Sequence, residues 1–232
     1  MKIGVVMDPI ESINFKKDST LAMMLEAQSR KHQLFYMTPD SLYINEKGAF
    51  AIAKTLQVKN DPTGWFDFKE EKQIKLSELD VILMRQDPPF NSNYIYNTYV
   101  LESAEKEGVL VVNKPSSLRD CNEKVFATEF PECCTPFLVT SDPNLLKSFI
   151  EDHGDTVIKP LDGMGGSSIF RLRYSDPNLN VILETITDSF TTKVMIQIYI
   201  PEITDGDKRI LLINGNPMDA AVARVPAEGE LR

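Results

Sequence analysis

The sequence predicts an α/β unit followed by an α+β unit. Three observations carry that expectation. Ile3-Gly4-Val5-Val6-Met7 is a short apolar run of the kind that forms a strand buried on both faces. Further apolar runs, Val81-Ile82-Leu83 and Val109 to Val112, recur with helical stretches between them, the β-α-β pattern of a parallel sheet. From about residue 136 onward strands come as pairs joined by loops, which is an α+β pattern.

Asp8-Pro9 closes the first strand. Asp18-Ser19-Thr20 then precedes Leu21, Met23, Met24, Leu25 and Ala27, an apolar stripe at helical spacing. Gln33 to Tyr36 reads as the second strand. Between residues 42 and 75, Gly48 and Pro62-Thr63-Gly64 mark turns between short strands. Asp80 to Met84 is a buried strand, and Tyr94 to Lys106 a helix closed by Gly108. Ser116 and Ser117 are suited to cap a short helix through Arg119, and Asn122 to open another running to about Phe130. Pro136 to Thr140 is a strand. Ser141 as N-cap with Pro143 in the first turn opens a helix to about Asp152. Thr156 to Lys159, Ile169 to Leu172, Met195 to Ile200 and Arg209 to Ile213 are strands. Asn214-Gly215-Asn216 turns the last of these into a hairpin with Ala220 to Val225.

Composition narrows the function. With 232 residues, 42% of them hydrophobic and 25% charged, the chain is long enough for one large or two small folded domains. A formal charge of −9 disfavours nucleic acid and anionic membrane surfaces, both of which attract basic proteins. An acidic ligand would need a few local cations to overcome that field. Cys121, Cys133 and Cys134 are odd in number and irregularly spaced, which suits reduced thiols better than a disulfide framework. With only His32 and His153 beside them, a zinc site is not expected. The apolar start is too short for a signal-peptide core, and no run approaches the length of a membrane span, so a cytoplasmic location is expected.

The most informative stretch is Ile158-Lys159-Pro160-Leu161-Asp162-Gly163-Met164-Gly165-Gly166-Ser167-Ser168, between two strands. Its glycines let the backbone turn tightly and bring N–H groups to an anion, and the serines add hydroxyl donors. Lys159, at a strand end, reaches the same anion as a point charge. A Walker A loop is excluded, because Gly166 is followed by Ser167 and a strand rather than by Lys-Ser/Thr and a helix. A dinucleotide fingerprint is excluded because Ser168 stands where its third glycine belongs. A plain hairpin loop is the competing reading.

Asn122-Glu123-Lys124 upstream, Ile158-Lys159-Pro160 before the loop, and Met195-Ile196-Gln197-Ile198-Tyr199-Ile200-Pro201 with Asp205-Gly206-Asp207-Lys208-Arg209 downstream together resemble the ATP-grasp superfamily. Within it, Met7-Asp8-Pro9, Arg85 with Asp87-Pro88-Pro89-Phe90, Val112-Asn113-Lys114-Pro115 and Leu118-Arg119-Asp120-Cys121-Asn122 are similar to landmarks of bacterial glutathione synthetases. Each is weak alone; the ordered set spans the chain. The resemblance implies an N-terminal parallel-sheet domain over residues 1–121 and an incomplete ATP-grasp domain over 122–232. It implies an ATP-dependent ligase joining γ-glutamylcysteine to glycine through an acyl phosphate, with Mg²⁺ (or Mn²⁺) accompanying ATP, and a homotetrameric assembly. It further implies Lys124 and Lys159 on the α- and β-phosphates, and Gly163, Met164, Gly165, Gly166, Ser167 and Ser168 over the γ-phosphate. Gln197, Ile198, Tyr199 and Ile200 would line adenine, with Asp207 at the ribose. Arg209 and Arg224 would face the transferring phosphoryl group, and Arg85 and Asp87 would hold the dipeptide or glycine.

Each residue has a plainer role open to it. Lys124 fits an exposed helix lysine, Arg209 and Arg224 fit cross-strand partners of acids, Asp205 and Asp207 fit turn residues, and Arg85 fits a pair with Asp87. The family continues past the position of Arg232 with a glycine-rich loop, which residues 226–232 resemble the start of, and with its metal ligands, so none is expected in this chain. Two competing functions therefore stand beside the first: another ATP-grasp carboxylate–amine ligase, and a nucleotide-binding fragment without turnover.

Overall fold

The strand β1 (Lys2–Met7) sits at the middle of the first sheet, buried from Ile3 to Met7. It runs parallel to β2 (Gln33–Met37) on one side and to β6 (Val81–Arg85) on the other, with β7 (Leu110–Val112) parallel beyond β6. These belong to a computed structural model that describes residues 1–163 and 166–225, and in which the chain divides into two units, Met1–Asn122 and Glu123–Arg232.

Alternation along β1 feeds two cores. Val5 and Met7 pack with Leu21 and Met24 of helix α1 (Ser19–Ser29). Val6 packs on the other side with Leu101 and Ala104 of helix α2 (Ser92–Lys106). Side-chain oxygens start both helices: Asp18 accepts from the Leu21 N–H at 2.6 Å and Asn91 from the Tyr94 N–H at 3.1 Å. The segment read as short strands is longer and more regular than expected. It forms β3 (Leu42–Asn45), β4 (Gly48–Val58) and β5 (Phe66–Lys75), all antiparallel, which extend the sheet past β2. The first sheet is therefore mixed, ordered β3-β4-β2-β1-β6-β7 with β5 also on β4. A Cβ at Gly4 would meet Met37 Cε at 2.6 Å and Leu79 Cδ1 at 2.7 Å. Gly4→Val is expected to cost about 1–3 kcal/mol by overpacking, read as a lower denaturant midpoint at unchanged slope.

After β7, α3 (Pro115–Asp120) opens with Pro115 at its first position, so Ser116 and Ser117 lie inside it and do not cap it. The helix expected from Asn122 is absent. Only a short 3₁₀ turn, Phe126–Glu129, forms there.

The second unit holds a four-stranded antiparallel sheet ordered β10-β9-β11-β8. Its strands are β8 (Phe137–Thr140), β9 (Thr156–Pro160), β10 (Phe170–Leu172) and β11 (Val194–Ile198). Helix α4 (Pro143–His153) is capped by Asp142, not Ser141, whose carboxylate accepts from the Asn144 and Leu145 N–H groups. Helix α5 (Leu179–Ile186) was not anticipated, although Leu179, Ile182, Leu183 and Ile186 stand at helical spacing after Asp176-Pro177. Both helices cover one sheet face, packing Leu146, Ile150, Leu179 and Leu183 onto Ile158, Leu172, Val194 and Ile196. A separate hairpin joins β12 (Asp207–Ile213) to β13 (Asn216–Arg224). Its turn uses Asn214 at φ 51° and Gly215 at φ 77°, the double positive φ that matches strand twist. Among the described residues, no helix is long and apolar enough to cross a membrane.

Candidate functional site

Strand alternation sorts the candidate residues of the second sheet. Ile158 faces the helices and is fully buried. Its neighbour Lys159 therefore points to the other face. Register places Met195 opposite Lys159, Val139 opposite Met195, Gln197 opposite Val157 and Phe137, and Arg171 opposite Val157. Directly paired residues share a face, so this face carries one row of Lys159, Met195 and Val139 and a second row of Arg171, Val157, Gln197 and Phe137.

Lys159 is half-buried, and its ammonium makes no hydrogen bond or ion pair among the described residues. Burial, and then the neighbouring Lys124 ammonium, push its pKa below the ordinary lysine value. A cation kept in that setting is one that a neighbouring anion would stabilise. Lys124 is not on a helix. Its side chain is only 13% exposed, and Nζ donates to the Gly163 carbonyl at 2.8 Å and to Glu123 at 2.6 Å. The same ammonium reaches the Leu161 carbonyl at 3.4 Å, so Lys124 ties down the first arm of the glycine loop. Gly166, at φ 77°, and Ser168, at φ 57°, take the left-handed conformations that a tight anion-facing turn uses, and Ser167 between them is exposed. Met164 and Gly165 lie outside the described residues, as do residues 226–232.

At the far end of the face, β11 runs into Tyr199 and Ile200. The Ile198 N–H donates to the Pro136 carbonyl at 3.2 Å. Proline has no N–H to return, so that pairing leaves the Ile198 carbonyl available. Tyr199 is bound to β9 through its N–H, which donates to the Asp155 carbonyl at 3.0 Å. The Ile200 N–H has no partner among the described residues, and Ile200 is half exposed. An acceptor and a donor two residues apart thus stand at the strand end. Ile198 lies three residues, or about 10 Å, along the strand from the position of Lys159, and Ile200 two residues further.

The hairpin gathers three more candidates on one face. Asp207 pairs with Arg224 and Arg209 with Val222 in register. Arg224 grips Asp207 with Nε at 2.7 Å and with Nη2, and this hydrogen-bonded pair lowers the Asp207 pKa and raises that of Arg224. The plainer cross-strand role read for Arg224 is therefore present, while Arg209 makes no ion pair among the described residues.

In the first unit, Arg85 does not pair with Asp87. Its guanidinium donates to Thr20 Oγ1 at 3.0 Å and to Ser19 Oγ at 3.1 Å, and the Asp87 N–H donates to Asp8 Oδ2 at 2.7 Å. Beside the carboxyl ends of the parallel strands lies a cleft of about 470 Å³, lined by Asp8, Asp40, Gln86, Asn91 and Asn97 among others. That edge is where open α/β sheets bind ligands. Gln86 lines it, rather than Arg85 or Asp87. Among the described residues no group of three or more His, Cys, Asp or Glu could hold a metal ion. All three cysteines are free thiols.

Sequence reading missed Asp155, Arg171 and Arg173. Asp155 receives both guanidinium groups, from Arg171 at 2.8 and 2.5 Å and from Arg173 at 2.7 Å. The Arg171 hydrogen bond, then that of Arg173, hold its carboxyl far below the usual carboxylate range against the opposing effect of burial. The only signal in the sequence was an acid facing two alternate arginines on paired strands.

Residues 1–119 match the family model for the prokaryotic glutathione synthetase N-terminal domain, and residues 123–232 that for the prokaryotic glutathione synthetase ATP-grasp domain. Glutathione synthetase of Pseudomonas putida is 57% identical over 232 residues, all of this chain and 73% of the relative. That of Vibrio parahaemolyticus is 53% identical over the same shares. Among solved structures, D-cycloserine synthetase DcsG aligns with a TM-score of 0.63 at 12% identity, covering 97% of this chain and 72% of that one. The D-alanyl-alanine synthetase A of Vibrio cholerae aligns at 0.57 and 11% identity, covering 98% and 69%. The two structural likenesses support the fold.

Proposed function

The chain belongs to the prokaryotic glutathione synthetase family, whose members are ATP-dependent ligases, and on that premise we propose that it joins γ-glutamylcysteine to glycine on the nucleotide face described above. One observation carries the placement: Lys159 and the strand end that starts at Ile198 lie on one sheet, about 10 Å apart along the strand, with apolar Met195 and Val139 level with Lys159 and Val157 in the next row toward Ile198. Adenine would rest on those apolar residues, its amino group donating to the Ile198 carbonyl and a ring nitrogen accepting from the Ile200 N–H. Lys159 and Lys124 would neutralise the α- and β-phosphates, and the loop from Gly163 to Ser168 would close over the γ-phosphate. Asp207 would meet the ribose.

The reaction needs no protein nucleophile. A carboxylate oxygen of the cysteinyl residue attacks the γ-phosphorus, and ADP leaves. The glycine amine then attacks the acyl carbon, a proton is lost from nitrogen, and phosphate departs with the original carboxylate oxygen. Positioning and charge stabilisation carry both steps. Arg209, and Arg224 if released from Asp207, are assigned to the transferring phosphoryl group. The family uses ATP with a divalent metal, proposed to be Mg²⁺ (or Mn²⁺). Because the described residues form no metal-ligand set, no step is assigned to it. In the first unit, the cleft holding Asp8, Asp40 and Gln86 is the proposed dipeptide side, and Arg85 and Asp87, which flank Gln86 in the sequence, are proposed to hold the dipeptide or glycine without lining that cleft.

Oxygen transfer tests this scheme. With ¹⁸O in the cysteinyl carboxylate, one labelled oxygen is expected in each phosphate released. Unlabelled phosphate formed alongside glutathione would refute the acyl-phosphate route.

A further inference from the structure

The strand end that presents Ile198 and Ile200 is held from an unexpected side. Tyr199, between them, is only 9% exposed. The Arg171 guanidinium carbon lies over its ring, 3.7 Å from the centroid. Arg171 is in turn fixed by Asp155, which takes Nε at 2.8 Å and Nη2 at 2.5 Å in a two-pronged pair. The backbone of Asp155 closes the circuit, because its carbonyl accepts the Tyr199 N–H at 3.0 Å. Three strands, β10, β9 and the end of β11, are thus cross-linked at one point.

We propose that Arg171 and Asp155 are positioning residues for base recognition. They clamp Tyr199 so that the Ile198 carbonyl and the Ile200 N–H stay at the spacing an adenine edge requires. This rests on the adenine placement proposed above. The geometry favours a positioning role over a generic ion pair. A two-pronged arginine held by a carboxylate keeps a planar group at a set height and angle, and stacking on a buried ring transmits that to the backbone on either side. Arg173 supplies the internal control. It binds the same carboxylate at 2.7 Å, but no ring contact is found for it among the described residues.

The test compares ATP with inosine triphosphate, which reverses the donor and acceptor at the edge facing Ile198 and Ile200. Dissociation constants are measured by calorimetry on the whole chain and on Arg171→Met, Arg171→Lys and Arg173→Ala. The unmodified chain is expected to prefer ATP by at least about 10-fold, the cost of mispairing a desolvated polar edge. Arg171→Met is expected to weaken ATP about 5- to 20-fold, the range of a lost stacked cation, and to weaken inosine triphosphate much less. Arg171→Lys should restore part of the loss, and Arg173→Ala should bind like the parent. Equal weakening of both nucleotides, equal effects at Arg171 and Arg173, or no effect at Arg171 would each overturn the clamp. Should Arg171→Met fail to fold, the Lys and Arg173 variants decide on the same criteria. Absence of ATP preference in the unmodified chain would instead remove the adenine placement itself, and the clamp with it.

Discussion

Lys159→Met is expected to lower ATP-dependent turnover by at least about 100-fold while leaving the protein as stable as before, or more so. The two effects have one cause. Lys159 is half-buried, with no hydrogen bond or ion pair to its ammonium among the described residues, and is close enough to Lys124 that burial and that second cation both depress its pKa. The folded state therefore surrenders this proton more readily than the unfolded chain does. At neutral pH the charged lysine opposes folding, and the opposition is relieved as pH rises through the folded-state value toward the ordinary lysine range. Methionine fills similar space without the charge, so thermal unfolding should occur at the same temperature or higher. The triphosphate loses its buried cation, and affinity falls. The same depression sets a pH signature: ATP affinity should begin to fall on the alkaline side sooner than an ordinary lysine would dictate. Lys159→Arg, which stays charged, should move that fall upward. Calorimetric titration across pH checks the second point, and thermal denaturation beside turnover checks the first. A Met variant that binds ATP normally would remove Lys159 from the site.

Ile158→Ala should do the reverse one residue away. Ile158 is fully buried between the sheet and helices α4 and α5, among Leu146, Ile150 and Leu183. Truncation there is expected to cost about 2–5 kcal/mol, from lost transfer energy and the cavity left behind. Denaturant unfolding should show a lower midpoint. At a temperature where the variant remains folded, its ATP affinity should match the parent, because the side chain points away from the nucleotide face. A large loss of affinity in a folded Ile158→Ala protein would contradict the assignment of the two faces.

These paired substitutions also show what the sequence made legible. Strand and helix positions followed from apolar periodicity, because β1, β6 and α2 bury whole faces and must repeat accordingly. The loop after Lys159 stood out because its glycines interrupt that periodicity. What escaped were features set by tertiary pairing. The long antiparallel β4 and β5 looked like short strands, since Lys69, Glu70, Glu71 and Lys72 lie on an exposed stretch with no apolar signal. Helix α5 is marked only by the spacing of Leu179, Ile182, Leu183 and Ile186, eight residues between stronger strand signals. Asp142 outcompeted Ser141 as a cap by accepting two N–H groups at once. The Asp155–Arg171–Tyr199 arrangement needs three strands to meet, and Asp155 lies 16 residues from Arg171, so no local pattern announces it. Arg85 looked like a partner for nearby Asp87, yet the fold turns it to Ser19 and Thr20, 66 and 65 residues away.

Coupling of ATP cleavage to the joining of a γ-glutamyl dipeptide with glycine is what the nucleotide face and Lys159 are proposed to serve. The most direct measurement is ADP release with ATP, Mg²⁺, γ-glutamylcysteine and glycine, with each amino substrate left out in turn. Sustained ADP release, with glutathione formed one for one, is expected only when both are present, and its loss is expected in Lys159→Met. ADP released at the same rate without the dipeptide or without glycine, or no turnover from a folded chain that binds ATP, would contradict that coupling.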